Sequence, residues 1–140
     1  MSIRFALALF GLSSLAALPS CGTTSSCTLI GCDDQVELTL TDNGATLTTG
    51  FHGTVTVNGT ALTVACTISG SSSATVRCPV GGSQLILTGS TADTIHVTIT
   101  ADTSSHSIDA DVPVTNSTSQ PNGPGCDPTC HQGRATAALR

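Results

Sequence analysis

Lysine, tryptophan and tyrosine are absent from these 140 residues, and of three phenylalanines only Phe51 lies beyond the first ten positions. Aromatic side chains bury the most area per residue, so an interior built without them has to be aliphatic and modest. With no lysine, and arginine only at 4, 77, 134 and 140, there is no basic stripe. That argues against nucleic acid as a partner, because neutralising phosphates takes clustered cations. The same lack removes electrostatic attraction to anionic lipid headgroups. Long hydrophobic runs are missing too: the longest, Phe5 to Leu18, falls short of the roughly 20 residues a spanning helix needs.

What is present at the start reads as a targeting segment. Arg4 precedes "FALALFGLSSLAAL", and the run closes on "LPSC" at Cys21 before Gly, Thr and Ser take over. A charged residue, a short apolar core and small residues mark a removable leader. "LPSC" resembles the lipobox of bacterial lipoproteins, with Leu18, Ser20 and Cys21 matching and Pro19 departing from it. The resemblance implies that residues 1–20 are a lipoprotein signal peptide and that Cys21 is lipidated and becomes the new N-terminus. It further implies three acyl chains on Cys21, where a single chain binds a membrane only marginally. The chain is then expected in the bacterial cell envelope, held to the membrane by its lipid anchor. Gly22, where an Asp would signal inner-membrane retention, points to the outer membrane. Residues 21–26 become a flexible tether, and 27–140 a single domain.

Seven cysteines leave six once Cys21 carries lipid: Cys27, Cys32, Cys66, Cys78, Cys126 and Cys130. An even set in an exported domain reads as disulfides. Cys66 and Cys78 flank the polar stretch "SGSSSA", and pairing antiparallel about Ser72 would set them opposite each other with their side chains among the buried aliphatics. For the other four, one reading staples the doublet Cys27 and Cys32 to the doublet Cys126 and Cys130; local pairing within each doublet is the competing connectivity.

Threonine occurs 24 times and clusters with Val and Ile, a composition suited to a pleated, half-buried surface. Period-two alternation runs from Gln35 to Ala110. It places Val36, Leu38 and Leu40 on one face, Leu62, Val64, Cys66 and Ile68 on another, and Val76, Cys78 and Val80 on a third. Ile95, Val97 and Ile99 form a further set, as do Ile108, Ala110 and Val112. Asp42-Asn43-Gly44 and Asn58-Gly59 are turn signals. A strand is expected near Ala45 to Thr49 and another at Gln84 to Thr88, while "RATAAL" is a weak candidate and 115–130 a long irregular segment. Eight or nine short strands predict an all-β fold: an antiparallel β-sandwich, immunoglobulin-like in broad form, with disulfides. A barrel is the alternative.

Several groups invite chemistry. "CDPTC" followed by His131 could join Cys27 and Cys32 in a zinc site, but an oxidising compartment consumes thiols first. Its C-x-x-x-C spacing in a Pro-rich loop is also not that of a redox pair. His52, His96, His106 and His131 sit in no ligand motif, and His96 falls on the outward face of its strand. "SHSID" holds Ser105, His106 and Asp109, but triads are assembled by the fold and not by adjacency. Asp33 with Asp34, Asp42 with Asn43, and Asp109 with Asp111 could offer oxygens to calcium. The solvated-edge reading of Asp109 and Asp111 is that they discourage strand pairing.

The plan as a whole resembles small bacterial lipoproteins of unassigned function. In them a lipobox and tether precede "GCDDQV", a mid-chain cysteine pair follows, and the end reads like "TSQPNGPGC" with one more cysteine. In this chain the matching pieces are residues 31–36, Cys66 with Cys78, and 118–130. The resemblance implies no activity and no cofactor. The chain therefore reads as a non-enzymatic structural or binding module contacting a protein or glycan. Two other readings remain: a hydrolase or metal-dependent enzyme using the acidic and histidine groups, and an inhibitor presenting the 121–130 loop. Convergence of the histidines and aspartates in one pocket would favour the enzyme.

Overall fold

The computed structural model describes residue 27 and residues 30–140. The signal segment 1–20, the lipidation site Cys21 and the tether 21–26 lie outside the described residues. Among the described residues every regular element is a strand. In chain order these are β1 (Gln35–Asp42), β2 (Ala45–Thr46), β3 (Phe51–Val57), β4 (Thr60–Cys66), β5 (Ser71–Ser72), β6 (Val76–Cys78), β7 (Gln84–Thr88), β8 (Thr94–Ala101), β9 (Ser107–Pro113), β10 (Thr115–Ser119) and β11 (Cys130–Leu139). A seven-stranded sheet runs β10-β11-β1-β7-β6-β5 with β2 beside β1, and a four-stranded sheet runs β4-β3-β8-β9.

The alternation of the sequence becomes the two inner faces. Val36, Leu38 and Leu40 of β1, Leu85 and Leu87 of β7 and Leu139 of β11 are fully buried on the larger sheet. They meet Phe51, Val55, Val64, Ile95, Val97 and Ile99 of the smaller one. Each such side chain contributes about 1.5–3 kcal/mol on burial, and a single aromatic, Phe51, sits among them. The turns follow their residues: Asn43-Gly44 (φ 49° and 84°) links β1 to β2, and Asn58-Gly59 (φ 50° and 79°) links β3 to β4. The fold is thus an all-β sandwich, antiparallel but for one pair.

That pair corrects the sequence reading. The weakly patterned end of the chain is β11, the longest strand at 10 residues, and it lies parallel to β1 from Gln35 opposite Gln132 to Asp42 opposite Leu139. Ala135 and Ala137 of β11 point inward but are too small to register as a strand pattern, and only Leu139 at its end is a large inward side chain. The first part of the supposed loop, Thr115–Ser119, is β10, whose residues are all exposed. The strand expected over Ala45 to Thr49 is two residues long, although Leu47 beyond it is buried.

Cys66 and Cys78 do form a disulfide, but not across a hairpin. Cys66 ends β4 in the smaller sheet and Cys78 ends β6 in the larger, so the bond ties the two layers together. The chain changes sheet between them, and this is why Ile68 and Val80, expected inward by strict alternation, are instead 53% and 82% exposed. Ile68 lies past the end of β4 and Val80 past the end of β6.

The chain ends are joined by Cys27–Cys126 and Cys32–Cys130, with Cα separations of 5.7 and 6.1 Å. Between these bonds the buried Asn122 acts as a substitute strand residue. Its Oδ1 accepts from Ile30 N (2.8 Å), and its Nδ2 donates to Ile30 O (3.1 Å) and Asp127 O (2.6 Å). The Asn122 amide thus satisfies the backbone N–H and C=O of Ile30 as a neighbouring strand would.

Candidate functional site

Each of the four histidines pairs with aspartate, in four separate places. His52 Nδ1 lies 2.7 Å from Asp102 Oδ1. His106 Nδ1 lies 2.6 Å from Asp42 Oδ1, joining the β8–β9 connection to the end of β1. His131 Nδ1 lies 3.2 Å from Asp34 Oδ1, which also accepts from the His131 backbone N–H at 2.7 Å. That backbone bond is the main reason the Asp34 carboxyl is held below the usual carboxylate range, with the imidazole's hydrogen bond and charge adding to it. "SHSID" forms no triad: His106 turns to Asp42, and Asp109 turns to His96.

His96 is different, because both of its ring nitrogens are engaged: Nδ1 with Asp111 Oδ1 at 2.9 Å and Nε2 with Asp109 Oδ1 at 3.1 Å. Asp109 and Asp111 alternate on β9, and His96 stands opposite Asp111 on β8, so strand geometry alone brings the three side chains to one outward face. Their exposed positions leave them hydrated. The hydrogen bond that the His96 ring donates to Asp111 is the largest cause of its raised pKa; desolvation opposes it, and the charges of Asp111 and Asp109 with the hydrogen bond to Asp109 add to the rise. When protonated, His96 donates from both nitrogens and has no lone pair with which to accept a proton or bind a metal. In that protonated state the arrangement can attract and hydrogen-bond a ligand. Among the described residues no group of three or more His, Cys, Asp or Glu side chains is placed to hold a metal ion. Cys126 and Cys130 are held in the staple, and His131 beside them faces Asp34.

Next to this face lies a feature that sequence reasoning missed, an open seam between β9 and β11. Backbone bonds from Ala101 N to His106 O (3.0 Å) and from Val114 N to Asp93 O (2.9 Å) continue the β8–β9 register at both ends. Bonded and unbonded residues alternate in an antiparallel ladder, so the even-numbered residues of β9 serve β8. Ser107, Asp109 and Asp111 direct their backbone N–H and C=O away from it. Ser107 exchanges both of its bonds with Arg140, at 3.2 Å each, and past Pro113 the chain rejoins β11 with Thr115 opposite Arg134. Between these two clasps β9 and β11 share no ladder.

The β11 side follows by the same reasoning. Leu40 N bonds Ser83 O and Gly89 N bonds Asp34 O, so the even-numbered residues of β1 serve β7 and the odd-numbered ones serve β11. Through the parallel register, residues 135, 137 and 139 answer β1, and Thr136 and Ala138 point into the seam. The groove so formed has a volume of about 460 Å³. Ile108 and Ala110, expected inward, are only half-buried because they line it. The signal for the seam was present only in part: the alternating "SIDADVP" marked β9, but nothing local marks the strand it parts from.

Comparisons with protein-family models, with curated proteins and with solved structures gave no match.

Proposed function

We propose that this chain is a lipid-anchored module of the bacterial cell envelope, tethered through Cys21 and more readily placed at the outer than the inner membrane, whose β-sandwich contacts another envelope protein or a glycan without catalysing a reaction. One observation carries the reading. The first two cysteines after the tether, Cys27 and Cys32, are bonded to Cys126 and Cys130, so the chain leaving an anchor at Cys21 enters a doubly clamped point and not a frayed strand. A pull between membrane and partner is then borne by covalent bonds. The dispersal of the four histidines over separate aspartate pairs supports contact chemistry over a shared reaction centre.

The test is intact mass of the chain purified from envelopes, with and without reduction. The expected form begins at Cys21, carries three acyl chains and gains about six mass units on reduction of three disulfides. Cys21→Ser should keep the leader and lose the acyl mass. An unmodified N-terminus at another residue, with the chain free of the membrane fraction, would overturn the reading.

A further inference from the structure

We infer that the free edge of β9 is a docking site for a short extended segment of a partner protein carrying basic side chains at alternate positions, which adds to the smaller sheet as a fifth strand over the seam. The inference rests on the binding-module reading and specifies its partner.

Three observations carry it. First, the backbone N–H and C=O of both Asp109 and Asp111 face the seam, which makes four bonding groups in register; Pro113, having no N–H, ends the row. A guest strand pairing with Asp109 and Asp111 places two of its own residues, two apart, directly opposite them. Second, those two guest side chains emerge on the outward face, beside the Asp109 and Asp111 carboxylates, which are 73% and 76% exposed. His96 supplies one positive charge at most against these two negative ones, so the face favours cationic side chains. Third, the guest residue between them turns inward over the half-buried Ile108 and Ala110 and the exposed side of the 460 Å³ groove. The site therefore reads basic, apolar, basic.

Charge also decides against a second copy of this chain. Two β9 strands paired antiparallel would bring their aspartates together across the ladder, and like charges there are destabilising. No lysine exists to relieve them. The same carboxylates that keep the edge from pairing with itself leave it open to a strand of opposite charge.

The probe is the pentapeptide acetyl-Val-Lys-Val-Lys-Val-amide, titrated into the full chain with its disulfides intact and followed by amide NMR. Shifts and slowed hydrogen exchange are expected at Asp109 and Asp111, with smaller shifts at Thr136 and Ala138. Three controls leave the inference exposed. The Glu counterpart of the peptide should not bind. The Lys peptide N-methylated at both lysines should lose binding although its charge is unchanged. Asp109→Asn with Asp111→Asn should weaken the Lys peptide by about fivefold to tenfold, the scale of two exposed ion pairs, with spectral changes confined to the neighbourhood of His96 and Thr98 that these carboxylates contact. Shifts scattered over all the acidic residues, binding indifferent to N-methylation, or self-pairing of the chain through β9 would each overturn it. If the peptide fails while crosslinking in envelopes captures a partner on another surface, the seam is wrong and the anchored-module reading stands.

Discussion

Cys66 closes β4 in one sheet and Cys78 closes β6 in the other, and their disulfide crosses the interior with Cα atoms 5.5 Å apart. Both sulfurs lie among buried aliphatics. The bond therefore constrains the unfolded chain and also fixes the spacing of two layers that hold a single aromatic between them. Replacing both residues, Cys66→Ala with Cys78→Ala, is expected to lower stability by about 3 kcal/mol, the loop-entropy value for a closure of this length. Urea unfolding of the oxidised double variant against the parent checks it; an unchanged midpoint would mean that the interior does not depend on this tie.

The two end clamps should behave differently from each other's sum. Cys27–Cys126 and Cys32–Cys130 span 99 and 98 residues and close nearly the same loop. With one intact, the other closes only the short circuit between them, so removing either alone should cost about 3 kcal/mol. Removing both opens the long loop as well and should cost about 7 kcal/mol. The double loss thus exceeds the two single losses added together, a non-additivity that a double-mutant cycle measures directly. Strict additivity would show that the clamps constrain independent parts of the chain.

His96 should titrate above its ordinary value, and Asp111→Asn should bring it down further than Asp109→Asn, because the hydrogen bond that the ring donates to Asp111 is the largest cause of its raised pKa. NMR titration of the ring protons reads both variants. The sign for stability follows from the direction: the folded state holds this proton more tightly than the unfolded one. The contribution is therefore fully present below the unfolded pKa and is lost as pH rises through the higher folded value. Asp34 runs the opposite way. Its lowered carboxyl stabilises the fold above the unfolded carboxylate pKa, and the contribution is lost as pH falls through the folded one.

The difference between what could and could not be read ahead of the structure lies in where each residue's partner sits. Val36, Leu38 and Leu40 declare their face by alternation because one side of β1 is core and the other is not, and Asn58-Gly59 declares its turn through backbone angles that few residues adopt. These are local facts. Ala135 and Ala137 are inward because β1 lies beside them from nearly a hundred residues away, and alanine says little about either state. The same distance hid the seam, since the backbone bonds at its one end join Ser107 to Arg140, far apart in the chain. Cys66 with Cys78 shows the middle case: alternation turned both sulfurs inward, but strict continuation of it placed them in one hairpin, where the chain in fact steps from one sheet to the other.

Gly53, in the middle of β3, is the substitution expected to be least tolerated among the strand glycines. A Cβ there would run into the carbonyl oxygen of Thr98 on β8 and lie 2.9 Å from Ile99 Cα. Both are backbone atoms of a paired central strand, so relief requires β3 and β8 to separate. Gly53→Ala should cost at least about 1–3 kcal/mol, the range for overpacking. Gly59→Ala meets nothing and carries only the turn's positive φ, at about 1 kcal/mol. Thermal midpoints of the two variants should rank accordingly, and a Gly53→Ala variant as stable as Gly59→Ala would refute the close approach of the two strands.

Deleting Arg140 tests whether the seam is closed at one end by a single backbone clasp. Ser107 N–H donates to Arg140 O and Arg140 N–H donates to Ser107 O, both at 3.2 Å, while the neighbouring bond from Ala101 N to His106 O belongs to the β8–β9 register. Loss of Arg140 therefore removes the partner of Ser107 and leaves that ladder untouched. Hydrogen exchange at the Ser107 amide should accelerate to the rate of an open edge, and exchange at Ala101 should not change. Because Leu139 keeps its buried place beside β1, global stability should fall by no more than about 1–2 kcal/mol, the worth of one or two exposed backbone bonds. If Ser107 remained protected, some other group would have to close the seam, and the edge offered by Asp109 and Asp111 would be shorter than the register requires.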